Sequence, residues 1–83
     1  MSPDDISARI KAALPDAQVS VADTTGTGDH FAATVVSAAF DGKGPVDRHR
    51  LVYAALGPVL NGPAAPIHAL ALTTVTPEEH QKR

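Results

Sequence analysis

No cysteine occurs among the 83 residues. Disulfide staples are thereby excluded, and so is a thiolate acting as nucleophile or metal ligand. A small domain without staples fits the cytoplasm better than a secreted scaffold. Tryptophan is also absent, and two Phe and one Tyr are the whole aromatic complement. So few rings argue against a platform on which nucleobases stack. Positive charge is not in surplus: seven Lys and Arg face nine Asp and Glu, for a net charge of −2. Nucleic-acid binders usually carry a basic excess, so such a role requires a local patch here. No apolar run approaches the roughly 20 residues of a membrane span. The opening "MSPDDISARIK" carries acids where a targeting peptide carries bases. The expectation is one soluble intracellular domain over residues 1–83, without a membrane partner. At this length only roughly 60% of the unfolded chain's surface is buried on folding, so the core is small.

What is present organises cleanly. Ser2-Pro3-Asp4-Asp5 is a helix start, with a hydroxyl cap, proline at the first position and an acid at the third. Ile6, Ile10 and Leu14 recur at intervals of four, and Pro15 ends the helix. Gln18 to Asp23 alternates polar and apolar and predicts a strand. "TTGTGD" (24–29) is a loop, and His30 to Ser37 is a second strand with Phe31, Ala33 and Val35 on one face. The pair reads as a β-hairpin. Phe40 to Pro45 forms a turn or short helical corner. A helix follows from Val46, with Val52, Leu56, Val59 and Leu60 inward and Asp47, Arg48 and Arg50 solvated. Gly57-Pro58 kinks it or starts a new turn. "NGPAAP" (61–66) is an irregular connection, Ile67 to Thr73 a third strand, and Thr76-Pro77-Glu78-Glu79 a last short helix start. A helical crossover between strands two and three makes them parallel if they are neighbours. The order α-β-β-α-β-α gives an α+β domain: a three-stranded mixed sheet with helices on one face.

The chemistry-bearing candidates are the histidines at 30, 49, 68 and 80. His80 lies near the chain end, where a solvated ring is the default. His49 sits within Arg48-His49-Arg50 on the long helix. His68 stands near the start of the otherwise apolar "PIHALAL", on one face with Leu70 and Leu72 by the two-residue period. A neutral imidazole there either satisfies itself with one hydrogen bond at the sheet edge or serves something outside the chain. No nucleophile elbow, phosphate-cradling loop before a helix, or HExxH pattern occurs. "GTGDH" lies between two strands and fails the context of a nucleotide fingerprint. The carboxylates Asp4, Asp5, Glu78 and Glu79 are explained by helix capping. An enzyme is not expected.

Taken together, "HFAATVVSAAFDGKGPVDRHRLVYAAL" and "IHALALTTVTPEE" resemble the BolA family, over about Val19 to Glu79. The resemblance is carried by His-Phe opening the second strand, "VVS", F-x-G, Arg48-His49-Arg50 with Val52-Tyr53, and Ile67-His68-Ala69-Leu70. It implies a fold like the class II KH domain. It also implies a non-enzymatic role as partner of a monothiol glutaredoxin in iron–sulfur trafficking or iron regulation. The cofactor so implied is a [2Fe–2S] cluster shared with the glutaredoxin and glutathione, with none in the isolated chain. His68 occupies the position of the family's histidine ligand. Imidazole ligation of a two-iron cluster is chemically sound, since replacing thiolate lowers the cluster's negative charge.

The second ligand is where this chain departs. Many relatives carry Cys or His in the hairpin loop, whereas "TTGTGD" has neither, and Thr27 falls about where the cysteine stands. This resembles a short-loop bacterial branch of the family. Three options remain: His30 is recruited, the partner supplies more ligands, or the complex holds no cluster. Lys43, Arg48, His49 and Arg50 form a second candidate surface for an acidic partner, a glutathione carboxylate or DNA. The resemblance links this helix region and the "GKG" turn to transcription. Few phosphates are neutralised by so few cations, so DNA binding is expected to be weak and salt-sensitive. The free chain is expected to be a monomer or weak homodimer.

Overall fold

The computed structural model describes residues 1–60 and 65–82. Helix α1 spans Pro3–Ala13. Its start is a full capping box: the Asp5 backbone N–H donates to Ser2 Oγ, and the Ser2 N–H donates back to the Asp5 carboxylate. Ile6, Ile10 and Leu14 form its buried stripe. Strands β1 (Gln18–Asp23) and β2 (His30–Val36) follow as the expected antiparallel hairpin, with Val19 opposite Val35 and Val21 opposite Ala33.

A 3-10 turn at Ala38–Phe40 leads into α2, Pro45–Leu56. The expected turn after Phe40 is present, the Lys43 N–H donating to Phe40 O at 3.1 Å. The 3-10 turn before it is capped by Ser37, whose hydroxyl accepts from the Ala39 N–H. Helix α2 ends at Gly57, whose φ of +53° suits a residue without Cβ. The expected interruption is a second 3-10 turn, Gly57–Val59. Strand β3 runs Ala69–Val75 and α3 runs Pro77–Gln81, again opened by a capping box, here between Thr76 and Glu79.

The sheet order is β1-β2-β3, with β3 parallel to β2 as the helical crossover requires. One face carries Val19 and Val21, Phe31, Ala33 and Val35, and Leu70 and Leu72. This face meets α1 and α2, and the core gathers Ile6, Ile10, Phe31, Val35, Phe40, Val52, Leu56 and Ile67. Each such side chain contributes about 1.5–3 kcal/mol of burial. The opposite face bears small or polar residues, among them His30, Ala32 and Thr34. Among the described residues no helix is long and apolar enough to cross a membrane.

One strand boundary differs from expectation. The third strand was expected at Ile67–Thr73 and lies two residues later. Ile67 does not join the ladder: its N–H donates to Val59 O at 3.1 Å, and its side chain is buried in the core. His68 therefore precedes β3 rather than sharing its inward face with Leu70 and Leu72. Of the expected connection 61–66, positions 61–64 lie outside the described residues.

Candidate functional site

The parallel register sets His30 at the head of β2 beside Ala69 at the head of β3. The backbone carbonyl of Asp29 fastens the two heads together, accepting from the His68 N–H at 2.8 Å and the Ala69 N–H at 3.2 Å. Residues 39 positions apart in sequence, Asp29 and His68, thereby become neighbours. The loop that delivers Asp29 is stiffened from within. Asp23 accepts from the backbone N–H groups of Thr25, Gly26 and Gly28. Such side-chain-to-backbone bonds replace the ladder in a tight loop.

The side chains then converge. Thr27 Oγ1 donates to Asp29 Oδ1, and His30 Nδ1 lies 2.7 Å from the same oxygen. The Thr27 hydroxyl, then the His30 ring, hold the Asp29 carboxyl below the usual carboxylate range. An ionised carboxylate only accepts hydrogen bonds, so His30 Nδ1 is the protonated nitrogen. His68 Nδ1 stands 3.6 Å from the other oxygen, Asp29 Oδ2, at ion-pair rather than hydrogen-bond distance. The two rings meet edge-on, with centroids 6.2 Å apart. The His68 side chain is 63% exposed, which answers whether its ring is sealed in the core. No group among the described residues bonds its Nε2.

The sequence candidates therefore divide. His68 and His30 come together, with Asp29 between them. Asp29 itself was missed by sequence reasoning; adjacency to His30 was the signal, but only the parallel register connects it to His68. Thr27 is spent on Asp29. The basic candidates separate as well, and Arg48 corrects the expectation of a solvated side chain. Its side chain is 14% exposed, and its guanidinium is bonded to Glu79, with Nε donating to Lys43 O at 2.7 Å. Lys43 and Arg50 are exposed, Arg50 lying 3.9 Å from Asp47. His49 is half-buried with its ring edge-on to Tyr53, and His80 is exposed on α3.

Among the described residues no group of three or more His, Cys, Asp or Glu side chains is arranged to hold a metal ion. The donor set suits a chain that lends one imidazole to a metal otherwise held by other molecules. It does not suit a self-contained ion cage, which takes about four ligands for zinc and more for calcium.

Comparison with known proteins agrees with this architecture. A solved BolA homologue from Coxiella burnetii matches with a TM-score of 0.80 at 39% identity, covering 98% of this chain and 97% of that one. The Vibrio cholerae protein named DNA-binding transcriptional regulator BolA is 49% identical over 57 residues, covering 69% of this chain and 51% of that protein. Human BolA-like protein 1 is 48% identical over 54 residues, or 65% of this chain. The chain spans a little over a third of the length of that human relative, 37%. The family model for BolA-like proteins matches residues 7–79. With that match and this fold, the chain belongs to the BolA family.

Proposed function

We propose that this chain is a non-enzymatic adaptor that pairs with a monothiol glutaredoxin and lends His68 to a [2Fe–2S] cluster shared with that partner and glutathione. The setting is the cytoplasm, where glutathione is reduced, and the role is iron–sulfur trafficking or iron regulation. The observation that carries the reading is the His68 ring: exposed, fixed at the head of β3, and with Nε2 unbonded within the described chain. Family membership supports it through the resemblance of "IHAL" to the family's ligand position. When bound, the cluster supplies a redox-active iron–sulfur unit. The chain's own residues contribute the nitrogen of His68 and the rigid Asp29 anchor behind it. His30 is the candidate for the second ligand: its Nδ1 donates to Asp29, which leaves Nε2 for a metal.

The test is to mix the purified chain with glutaredoxin, glutathione, iron and sulfide and record visible absorption and circular dichroism. The unaltered chain forms a complex with a spectrum distinct from that of glutaredoxin alone. His68→Ala loses that spectrum. An unchanged spectrum from His68→Ala overturns the assignment.

A second reading, a DNA-binding regulator, is favoured by the name of the Vibrio relative. Its footprint on this chain is small, since Arg48 is engaged within the fold and leaves Lys43 and Arg50 exposed. Two phosphate contacts give log Kobs against log salt a slope of roughly −2. Specific binding to duplex DNA near physiological salt supports this reading, and its absence removes it.

A further inference from the structure

We infer that Asp29 is a positioning residue that holds the His68 and His30 rings with Nδ1 turned inward and Nε2 outward. Resting on the cluster reading above, this adds a residue to that site and a role for it. One oxygen of the carboxylate faces each ring: Oδ1 lies 2.7 Å from His30 Nδ1, and Oδ2 lies 3.6 Å from His68 Nδ1. The carboxylate is itself aimed by the Thr27 hydroxyl. The Asp29 backbone carbonyl, through the His68 and Ala69 N–H groups, fixes where the second ring starts. One residue thus anchors the strand with its main chain and orients the rings with its side chain.

The chemical consequence is tautomer selection. A neutral imidazole carries one proton, and the hydrogen bond made by one nitrogen decides which nitrogen offers the lone pair. At His30 the carboxylate bonds Nδ1 and fixes the proton there. At His68, 3.6 Å away, its negative charge favours the proton on Nδ1 and leaves the lone pair on Nε2. Carboxylates behind ligating histidines act in this way, and their loss typically weakens metal binding 10–100-fold. The hairpin loop has no Cys or His, so the geometry at His68 has little redundancy.

The test separates side chain from backbone. Asp29→Ala removes the carboxylate but keeps the carbonyl that holds β3. Asp29→Asn keeps an oxygen able to accept from Nδ1–H. Long-range proton–nitrogen spectra of the isolated, 15N-histidine-labelled chain, at about pH 8 where an ordinary histidine is neutral, report the tautomers directly. In the unaltered chain His30 and His68 show a protonated Nδ1 and an unprotonated Nε2. Asp29→Ala shifts both toward Nε2–H, and Asp29→Asn restores the original pattern in part. Amide spectra and Tm verify that each variant folds. Tautomers unchanged in folded Asp29→Ala overturn the inference.

A second arm uses the glutaredoxin–glutathione complex. Asp29→Ala shortens the lifetime of the visible cluster bands roughly tenfold or more, and equal lifetimes count against the inference. Failure of the unaltered chain to form any complex strikes instead at the adaptor reading. The tautomer spectra then decide the role of Asp29 alone.

Discussion

Arg48 and Glu79 meet fork to fork across 31 positions of sequence: Nη1 lies 2.6 Å from Oε1, and Nη2 lies 3.2 Å from Oε2. The same guanidinium donates to Lys43 O, and Glu79 Oε1 also accepts from the Thr76 N–H. One bidentate pair thus ties the start of α2 to the cap of α3 at the end of β3. The short helix α3 thereby acquires a tertiary tether.

Arg48→Ala lowers Tm by several degrees, because it removes the tether and the bond to the Lys43 carbonyl together. Arg50→Ala, whose only charge contact among the described residues is a long, exposed one to Asp47, leaves Tm unchanged. Thermal melts followed by circular dichroism make the comparison. Equal melting of the two variants contradicts the tether.

The same pair sets an acid limit. Glu79 titrates at about 2 against an ordinary 4.5, held down first by Arg48 and then by the Thr76 N–H. The folded chain releases that proton more readily than the unfolded one. Its stabilisation is therefore full above about pH 4.5 and is lost as pH falls toward 2. Asp16, Asp29 and Asp5 are lowered too and act in the same direction. Glu79→Gln keeps an oxygen for the cap but not the charge, so its Tm falls less steeply over this window than that of the unaltered chain. Parallel Tm–pH curves refute the assignment.

Ser37 is fully buried and carries three roles. Its hydroxyl donates to Asp16 Oδ1 at 2.8 Å and accepts from the Ala39 N–H at 3.1 Å, while its own N–H donates to Val75 O. The Ala38 N–H, then the Ser37 hydroxyl, keep Asp16 below the usual carboxylate range. Ser37→Ala strips the cap from the 3-10 turn after β2 and destabilises by about 1–2 kcal/mol. Urea denaturation measures it. A change below a few tenths of a kcal/mol shows the hydroxyl to be dispensable.

Local signals were legible in the sequence wherever local chemistry decided the outcome. The Ser2/Asp5 and Thr76/Glu79 boxes, the Ile6–Ile10–Leu14 stripe, the hairpin about residues 24–29 and the break at Gly57 are all short-range. What the sequence hid depends on contacts between distant segments. Ile67 reads as a strand residue until Val59 O takes its N–H. Arg48 reads as solvated until a glutamate 31 residues on reaches it.

The candidate site divides along the same line. His68 and His30 stood out as titratable rings at strand openings. Their meeting over Asp29 depends on the parallel register of β2 and β3, which no local pattern encodes. For the same reason Asp29 passed for an ordinary loop residue.

The most direct test of the central claim asks whether a His68 nitrogen touches the cluster. The chain is labelled with 15N-histidine, assembled with unlabelled glutaredoxin and glutathione, reduced, and studied by pulsed electron paramagnetic resonance. A 15N coupling of directly bound strength is predicted, retained in His49→Ala and lost in His68→Ala. A coupling that survives His68→Ala, or none in the unaltered complex, contradicts it.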